Sequence, residues 1–520
     1  MTVSFVKMAV NAATTVLASA SFENDVVKEI TLNFNDISQT GSAILVEALA
    51  ENSTVEAISV CGPMGQSDVA AFAKALKGNG SVTRIQLDNA NVGDAGAAAL
   101  AEALKVNKTV EHIQWNACDI GDAGAVALAD AIHVNSTLQH MKTSLAECCG
   151  TGATALARAF FVNSAVKRIN VSFMQAKPYT RELAIACFEN DAVKKIKLDF
   201  KDVCETLSAV LVEALAEQST VEAISIHGCF DQSSVASFAA ALKINSAVKQ
   251  VHVDSGQIDD AGAAVLAEVL QVNKTVEHFH IHADKIGDSG ASTFAEALKA
   301  NRTLQNIAIV SSSIGYAGAR EFADMLKTNS TMKHVQLACE NIGNEGAMAL
   351  AHALKVNSVL TQIQFDGIKF GDPAAMALSQ ALRATKTVEQ ISISRSGIGD
   401  QGAVALGNAL KLNSTVKQIR LDRNKIGDVG ASAFAEALKA NSTLEQIHLG
   451  FNGITDDGAE ALAEALEANV TLEQIGLEHN WFLGDRGAAA LLDALKVNRH
   501  VKQIDLGYRK LCVEEVEAEK

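Results

Sequence analysis

The chain has 520 residues, 48% of them hydrophobic and 5% aromatic, with only 3 prolines, where average usage would give about 26. So apolar a chain, 20% charged, can bury a large core, which excludes disorder, and the missing prolines exclude the linkers that usually separate globular domains. The formal net charge of -16 disfavours a nucleic-acid binder, which needs a basic face, and an anionic membrane surface.

At the N-terminus, Lys7 and Ala18-Ser19-Ala20 loosely imitate a signal peptide, but Asn11, Thr14 and Thr15 are polar for its apolar stretch. The run Ala18-Ser-Ala-Ser-Phe-Glu-Asn-Asp25 also recurs as Ala184-Ile-Ala-Cys-Phe-Glu-Asn-Asp191. An internal copy cannot be a signal, so residues 1–23 read as a half-repeat cap. The chain has 9 cysteines and no C-x-x-C pair, which points to reduced thiols in a cytoplasmic protein. No run of 18 apolar residues exists, so no helix spans a membrane.

From residue 24 an asparagine returns every 27 to 29 residues, as at Asn24, Asn52, Asn79, Asn107, Asn135, Asn163 and Asn190, and onward to Asn498, with Gln218 and Thr385 in the same phase. That spacing predicts a solenoid of 18 strand-bearing units over residues 24–511. Residues 22–163 recur as 188–329 at an offset of 166, and Lys177-Pro178-Tyr179 marks the junction. In the unit from Asn441 the first half reads Leu444-x-x-Ile447-x-Leu449-x-x-Asn452-x-Ile454, with Ile447 and Leu449 on one side of a strand. The second half, Asp457 to Leu466, carries Ala459, Leu462, Ala463 and Leu466 at helical spacing. Asp94, Asp122, Asp400 and Asp428 are placed to accept a bond from the first turn of the helix each begins. The Gly-Ala pair that follows lets the helix lie close to the strand layer. An intervening helix makes successive strands parallel. The N-x-T tripeptides at Asn52, Asn107, Asn135, Asn273, Asn301, Asn329, Asn413, Asn441 and Asn469 share one repeat position. They read as turn residues tolerant of special backbone angles, not glycosylation sites.

The pattern L-x-x-L-x-L-x-x-N-x-I, followed by a G-D-x-G-A-x-A-L-A-E-A-L helix, resembles the leucine-rich repeats of the ribonuclease-inhibitor type, over roughly residues 22–511. Similar repeats occur in NOD-like receptors and the Ran GTPase-activating protein. The resemblance implies an α/β solenoid, a horseshoe with strands on the concave and helices on the convex face, and protein ligands. The motif's asparagine is present at Asn35, Asn424, Asn452 and Asn480. Elsewhere the position reads Cys118, Cys229, Ala90, Ala146, Gly256, Asp284, Ser312, Glu340 and Lys201, which predicts looser turns through the middle of the array.

Ten of the 13 histidines fall at solvent-facing strand positions: His112, His140, His227, His252, His278, His280, His282, His334, His448 and His479. In His278-Phe-His-Ile-His282 the imidazoles share one face. His252 is expected beside His280, and His227 and Asp254 in a row with His282, a patch able to hold a transition metal. The copied block lacks it, having Gln86, Gln114 and Asn116 there. Gln362, Gln390, Gln418, Gln446, Gln474 and Gln503 form a row whose amides can bond along it. Arg395, Arg420 and Arg423 make a small basic spot. Cys118 and Cys229 occupy core turns, while Cys339 is placed on the concave rim, open to reaction. Residues 512–520 form an acidic tail.

No phosphate loop, nucleophile elbow, zinc-protease or calcium motif is present. The expectation is a non-enzymatic, monomeric interaction scaffold without cofactor or metal. It binds a protein partner, and neither nucleic acid nor membrane, on the strand face through His252, Asp254, His278, His280, His282, Arg395, Gln418, Arg420, Arg423, Gln446 and His448. Two alternatives stand beside it: a regulator of an enzyme such as a small GTPase, by analogy with the resembling family, and a metal- or pH-sensing surface on the histidine patch.

Overall fold

The computed structural model describes residues 2–4, 28–33, 49–116, 118–144, 150–173, 186–187, 190–200, 215–216, 219–228, 231–507 and 510–512. The cap segment 5–23, Asn35, Ala146, the junction at Lys177, Pro178 and Tyr179, Lys201, Cys229 and the tail from residue 513 lie outside them. The chain divides into two compact units, residues 1–254 and 255–520.

Among the described residues of the first unit, ten strands run from Thr2–Ser4 and Glu29–Asn33 to Ala223–Gly228 and Gln250–Asp254, each paired in parallel with the next. In the second, strands from His278–His282 to Gln503–Asp505 repeat that pattern in unbroken parallel register. Helices alternate with the strands in both units, as at Asp122–Val134 and Asp456–Ala468. The α/β solenoid expected from the period, and of the kind the resemblance implies, is therefore the fold. One strand departs from it. Lys510–Cys512 runs antiparallel to Gln503–Asp505, so Cys512 is not tail but part of a turned-back strand that covers the last sheet edge. Among the described residues no helix is long and apolar enough to cross a membrane.

The core is built as the spacing predicts: Ile447, Leu449, Ala459, Leu462 and Leu466 are buried, and so are most of their counterparts in the described repeats, Ala488 and Leu506 of the last ones being half-buried. Two polar devices join one repeat to the next. At the first, Asn441 donates from Nδ2 to the Leu410 and Asn413 carbonyls at 2.7 and 3.0 Å, while its Oδ1 accepts from the Thr443 and Leu444 N–H groups. Its backbone is ordinarily extended, φ -84 and ψ 133. These asparagines therefore cross-link repeats and satisfy buried backbone groups, rather than meeting a special backbone angle. Their amides are buried and engaged, which closes the N-x-T sites to glycans. Thr385 breaks the ladder: its hydroxyl meets only Thr387, at 3.5 Å.

The second device corrects the expected cap. Asp94 accepts not from its own helix but from the Gly121 and Gly124 N–H groups of the next repeat, at 2.7 and 3.0 Å. Asp260, Asp288, Asp372, Asp400 and Asp456 do the same one repeat on. The helix dipole and unpaired N–H groups of these helices are thus met from the neighbour, whereas Asp231 and Asp259 cap the helices they immediately precede. Where the preceding repeat has Gln66, Tyr316 or Asn344 instead, the next helix starts differently. Gly93, Gly343 and Gly371 turn to φ 58, 67 and 61, each after a helical residue. The helix glycines serve this contact too: a Cβ on Gly124 would lie 2.7 Å from Asp94 Oδ1 and 2.9 Å from Ala97 Cβ. The close approach is thus to the neighbouring helix, not to the strand layer.

The motif's asparagine position is also shifted from the sequence reading. Asn424 Nδ2 donates to the Ile393 carbonyl, 31 residues back, and Cys118 Sγ does likewise to Leu87. In four middle repeats the buried residue is Ser255, Ala283, Ser311 or Cys339, while Gly256, Asp284, Ser312 and Glu340 are exposed. The turn comes one residue earlier, without the left-handed residue that Arg395, Arg423, Phe451 and His479 supply further on. Cys339 is therefore no rim thiol. It is fully buried, within 3.9 Å of the Ile309 carbonyl, and burial pushes its thiol up to about 12.

Candidate binding face on the strands

The exposed side of each strand alternates with the buried side, so register alone sets which polar groups meet. In the first unit, Asp199, His227 and Asp254 stand at one level on three neighbouring strands, and Ser225 and His252 at another. His227 Nδ1 lies 3.4 Å from Asp254 Oδ2, and its ring stacks on His252 with centroids 4.9 Å apart. One donor atom from each of His227, His252 and Asp254 falls within 4.8 Å of the others, close enough to converge on one cation. Burial, helped by Lys197, holds His227 below the usual imidazole range, against the pull of Asp254.

The second unit carries the other expected residues. His278, His280 and His282 lie level with Asn306, Ala308 and Val310. The His278 ring meets the Asn306 amide at 2.8 Å, and His334 beyond it is held down by burial and by His278. The six glutamines are in register across six strands, Gln418 and Gln446 among them. No hydrogen bond joins their amides among the described residues, so each is left to bind something else, and the expected bonding along the row does not form. His448 lies level with Arg420; its Nε2 is buried without a partner, and burial and Arg420 lower its affinity for a proton.

One open cleft of about 540 Å³ has His282, Arg395, Arg420 and Arg423 on its walls. Asp284, Glu340, Asp366 and Asp422 line it too, so the expected basic spot is charge-mixed. Two of these carboxylates are structural. Asp366 accepts the Ser394 N–H, and Asp422 the Gly450 N–H at 2.9 Å. Burial raises the Asp422 carboxyl above the usual range.

Sequence reasoning missed the aromatic residues Phe451, Trp481 and Phe482 beside this cleft. Arg395, Arg423, Phe451 and His479 stand 28 residues apart, all left-handed, with φ 55 to 59. The Arg423 guanidinium sits 3.9 Å over the Phe451 ring, Phe451 stacks on His479 at 4.2 Å, and Trp481 follows at 5.2 Å. Trp481 and Phe482 are 69% and 74% exposed. The signal was present as the repeat phase that Arg395 and Arg423 share with Phe451 and His479.

Four stretches, residues 106–129, 328–351, 412–435 and 440–463, match the family model described as "Leucine Rich repeat". No curated protein matches the chain. Among solved structures, a chain of the yeast Rad7 and Elc1 complex is similar over 68% of this chain and 82% of its own, at 15% identity and a TM-score of 0.44. Leiomodin-1 actin-binding site 2 is similar over 35% of this chain and 88% of its own, at 20% identity and a TM-score of 0.24. Those matches lie on repeats whose strands, helices and ladder residues recur through both units, so the fold is an α/β solenoid carrying leucine-rich repeats.

Proposed function

We propose that the chain is a non-enzymatic scaffold that takes a protein partner on its strand face, anchored in the second unit on Arg395, Arg423, Phe451, His479 and Trp481. The observation that carries this is the left-handed row. Asn, Asp and His, as at Asn89, Asn91, Asp119 and His479, tolerate that backbone, whereas Arg and Phe there cost on the order of 1 kcal/mol each. Ordered as a cation–aromatic stack and ending in exposed Trp481 and Phe482, the row has the residue types that dominate interface energies. The test is affinity capture with the full chain and with Arg423→Ala/Phe451→Ala/Trp481→Ala. The reading expects one stoichiometric partner, lost with the triple variant. Retention by that variant, together with loss from the helix-face variant Glu436→Lys/Glu464→Lys, would overturn it.

A second reading, metal or proton sensing, is favoured by the His227, His252 and Asp254 cluster. Two imidazoles and a carboxylate suit zinc or a neighbouring transition metal. Calorimetric zinc titration should give one binding event that His227→Ala/His252→Ala abolishes; equal weak heats for both proteins would dismiss it.

A further inference from the structure

The first unit carries a surface of different chemistry, remote in sequence from the anchor row. Register places Arg84, His112, His140, Arg168 and Lys195 in one line across neighbouring strands. Two residues along those strands, Lys142 and Lys197 join Gln86, Gln114 and Asn170 in a second line. At the usual strand spacing, Arg84 and Lys195 stand about 19 Å apart. The two lines wall an open groove of about 580 Å³. Among the described residues its lining holds Arg84, Lys142, Arg168, Lys195 and Lys197 and no carboxylate, in a chain whose formal net charge is -16.

These cations are not spent on the fold. Arg84 reaches Glu29 at 3.6 Å, but among the described residues Lys142, Arg168, Lys195 and Lys197 make no ion pair. Arg168 and Lys195 are direct cross-strand neighbours, an arrangement that destabilises a sheet when nothing lies between like charges. The imidazoles register the same field. His112 and His140 approach Nδ1 to Nδ1 at 2.6 Å, and burial, His112, Arg168 and Lys195 hold His140 down to about 4. The copied block shows that the scaffold does not need the charge. At an offset of 166, Arg84 and Lys142 become Gln250 and Ala308, while the core residues Ile85 and Met141 remain apolar as Val251 and Ile307.

We propose that this groove binds an acidic peptide segment of a partner protein, laid across the strands with its carboxylates on Arg84, Lys142, Arg168, Lys195 and Lys197. The charges are spread along the groove rather than converging, which fits an extended polyanion better than one phosphate. The interleaved Gln86, Gln114, Asn170 and Gln250 amides offer both donors and acceptors to a peptide backbone. The proposal rests on the strand face as the binding surface, but not on the anchor row.

Fluorescence anisotropy tests it, using the full chain and a labelled peptide of about ten alternating Glu and Gly residues, long enough to span the groove when extended. Binding is expected, weakening as salt rises, reduced roughly tenfold or more by Arg168→Glu/Lys197→Glu, and unmoved by Arg423→Ala/Phe451→Ala. Should the charge-reversed protein fail to fold, Lys142→Gln/Lys197→Gln decides, with a smaller loss expected. Equal binding by wild type and folded variants would overturn the proposal. So would a matching Lys and Gly peptide binding as well, or an oligothymidylate or phosphatidylserine vesicle outcompeting the acidic peptide. Loss of acidic-peptide binding here says nothing about the anchor row, whose own triple variant is read separately.

Discussion

The groove at Arg84 to Lys197 and the cleft at Arg395 to Arg423 stand on the same buried scaffold and differ in almost everything exposed. The first gathers cations around a pair of imidazoles. The second sets arginines among carboxylates and runs into stacked aromatics. Beneath both lie the same apolar strand positions, the same buried asparagine and, where present, the same aspartate reaching to the next helix. The difference teaches that a repeat protein separates its two tasks by side of strand. Inward residues must fit the neighbouring repeats and so stay alike. Outward residues meet solvent and diverge, so the chain's acidity, carried largely on its helices, says little about the sign of any one surface.

The largest test of the common scaffold is the asparagine ladder. Asn135→Leu in the first unit and Asn441→Leu in the second should each cost about 3 kcal/mol in urea unfolding, because each strands buried carbonyls and N–H groups. Losses that differ severalfold would break the claim that both faces rest on one scaffold. Next is the cap given across repeats. Asp94→Ala and Asp400→Ala should each cost about 1 to 2 kcal/mol. Amide exchange should quicken in the helix beginning near Gly121 or Gly427, not in the aspartate's own helix; quickening confined to the latter would refute the assignment.

Smaller, and opposite in sign, is Thr385→Asn. It restores a ladder amide within reach of the Leu354 carbonyl, as Asn413 reaches Leu382, and should raise stability by about 1 kcal/mol. The least effect sharpens the contrast between faces. His140 has a folded value of about 4 against an ordinary 6.5. As pH falls through that window the unfolded chain takes up the proton first, so acid lowers stability there. His140→Asn, which installs the residue of the copied block at position 306, should flatten the decline in melting temperature between pH 6.5 and 4. An unchanged slope would show that the groove does not hold this imidazole neutral.

Much of the fold was legible in advance. The apolar spacing in Leu444 to Ile454 and Asp457 to Leu466 specifies strand and helix within one repeat, and the parallel order follows from the helix between. The site was legible only in part. Arg395, Arg420 and Arg423 were found because charge on a strand face is visible in sequence. Phe451 and Trp481 were missed because an aromatic residue in an apolar repeat reads as core. Lys142, Arg168 and Lys197 were missed because each is one charge in its own strand, and the net charge pointed the other way.

The sequence by itself determined the period, the alternation of strand and helix and which residues turn inward, because those depend on contacts within a few residues. Tertiary structure alone decided which helix an aspartate caps, whether Ser311 or Ser312 fills the buried turn and where five cations meet. Each of those is settled by register between residues about one repeat apart, and a shift of one residue moves a side chain from the core to solvent.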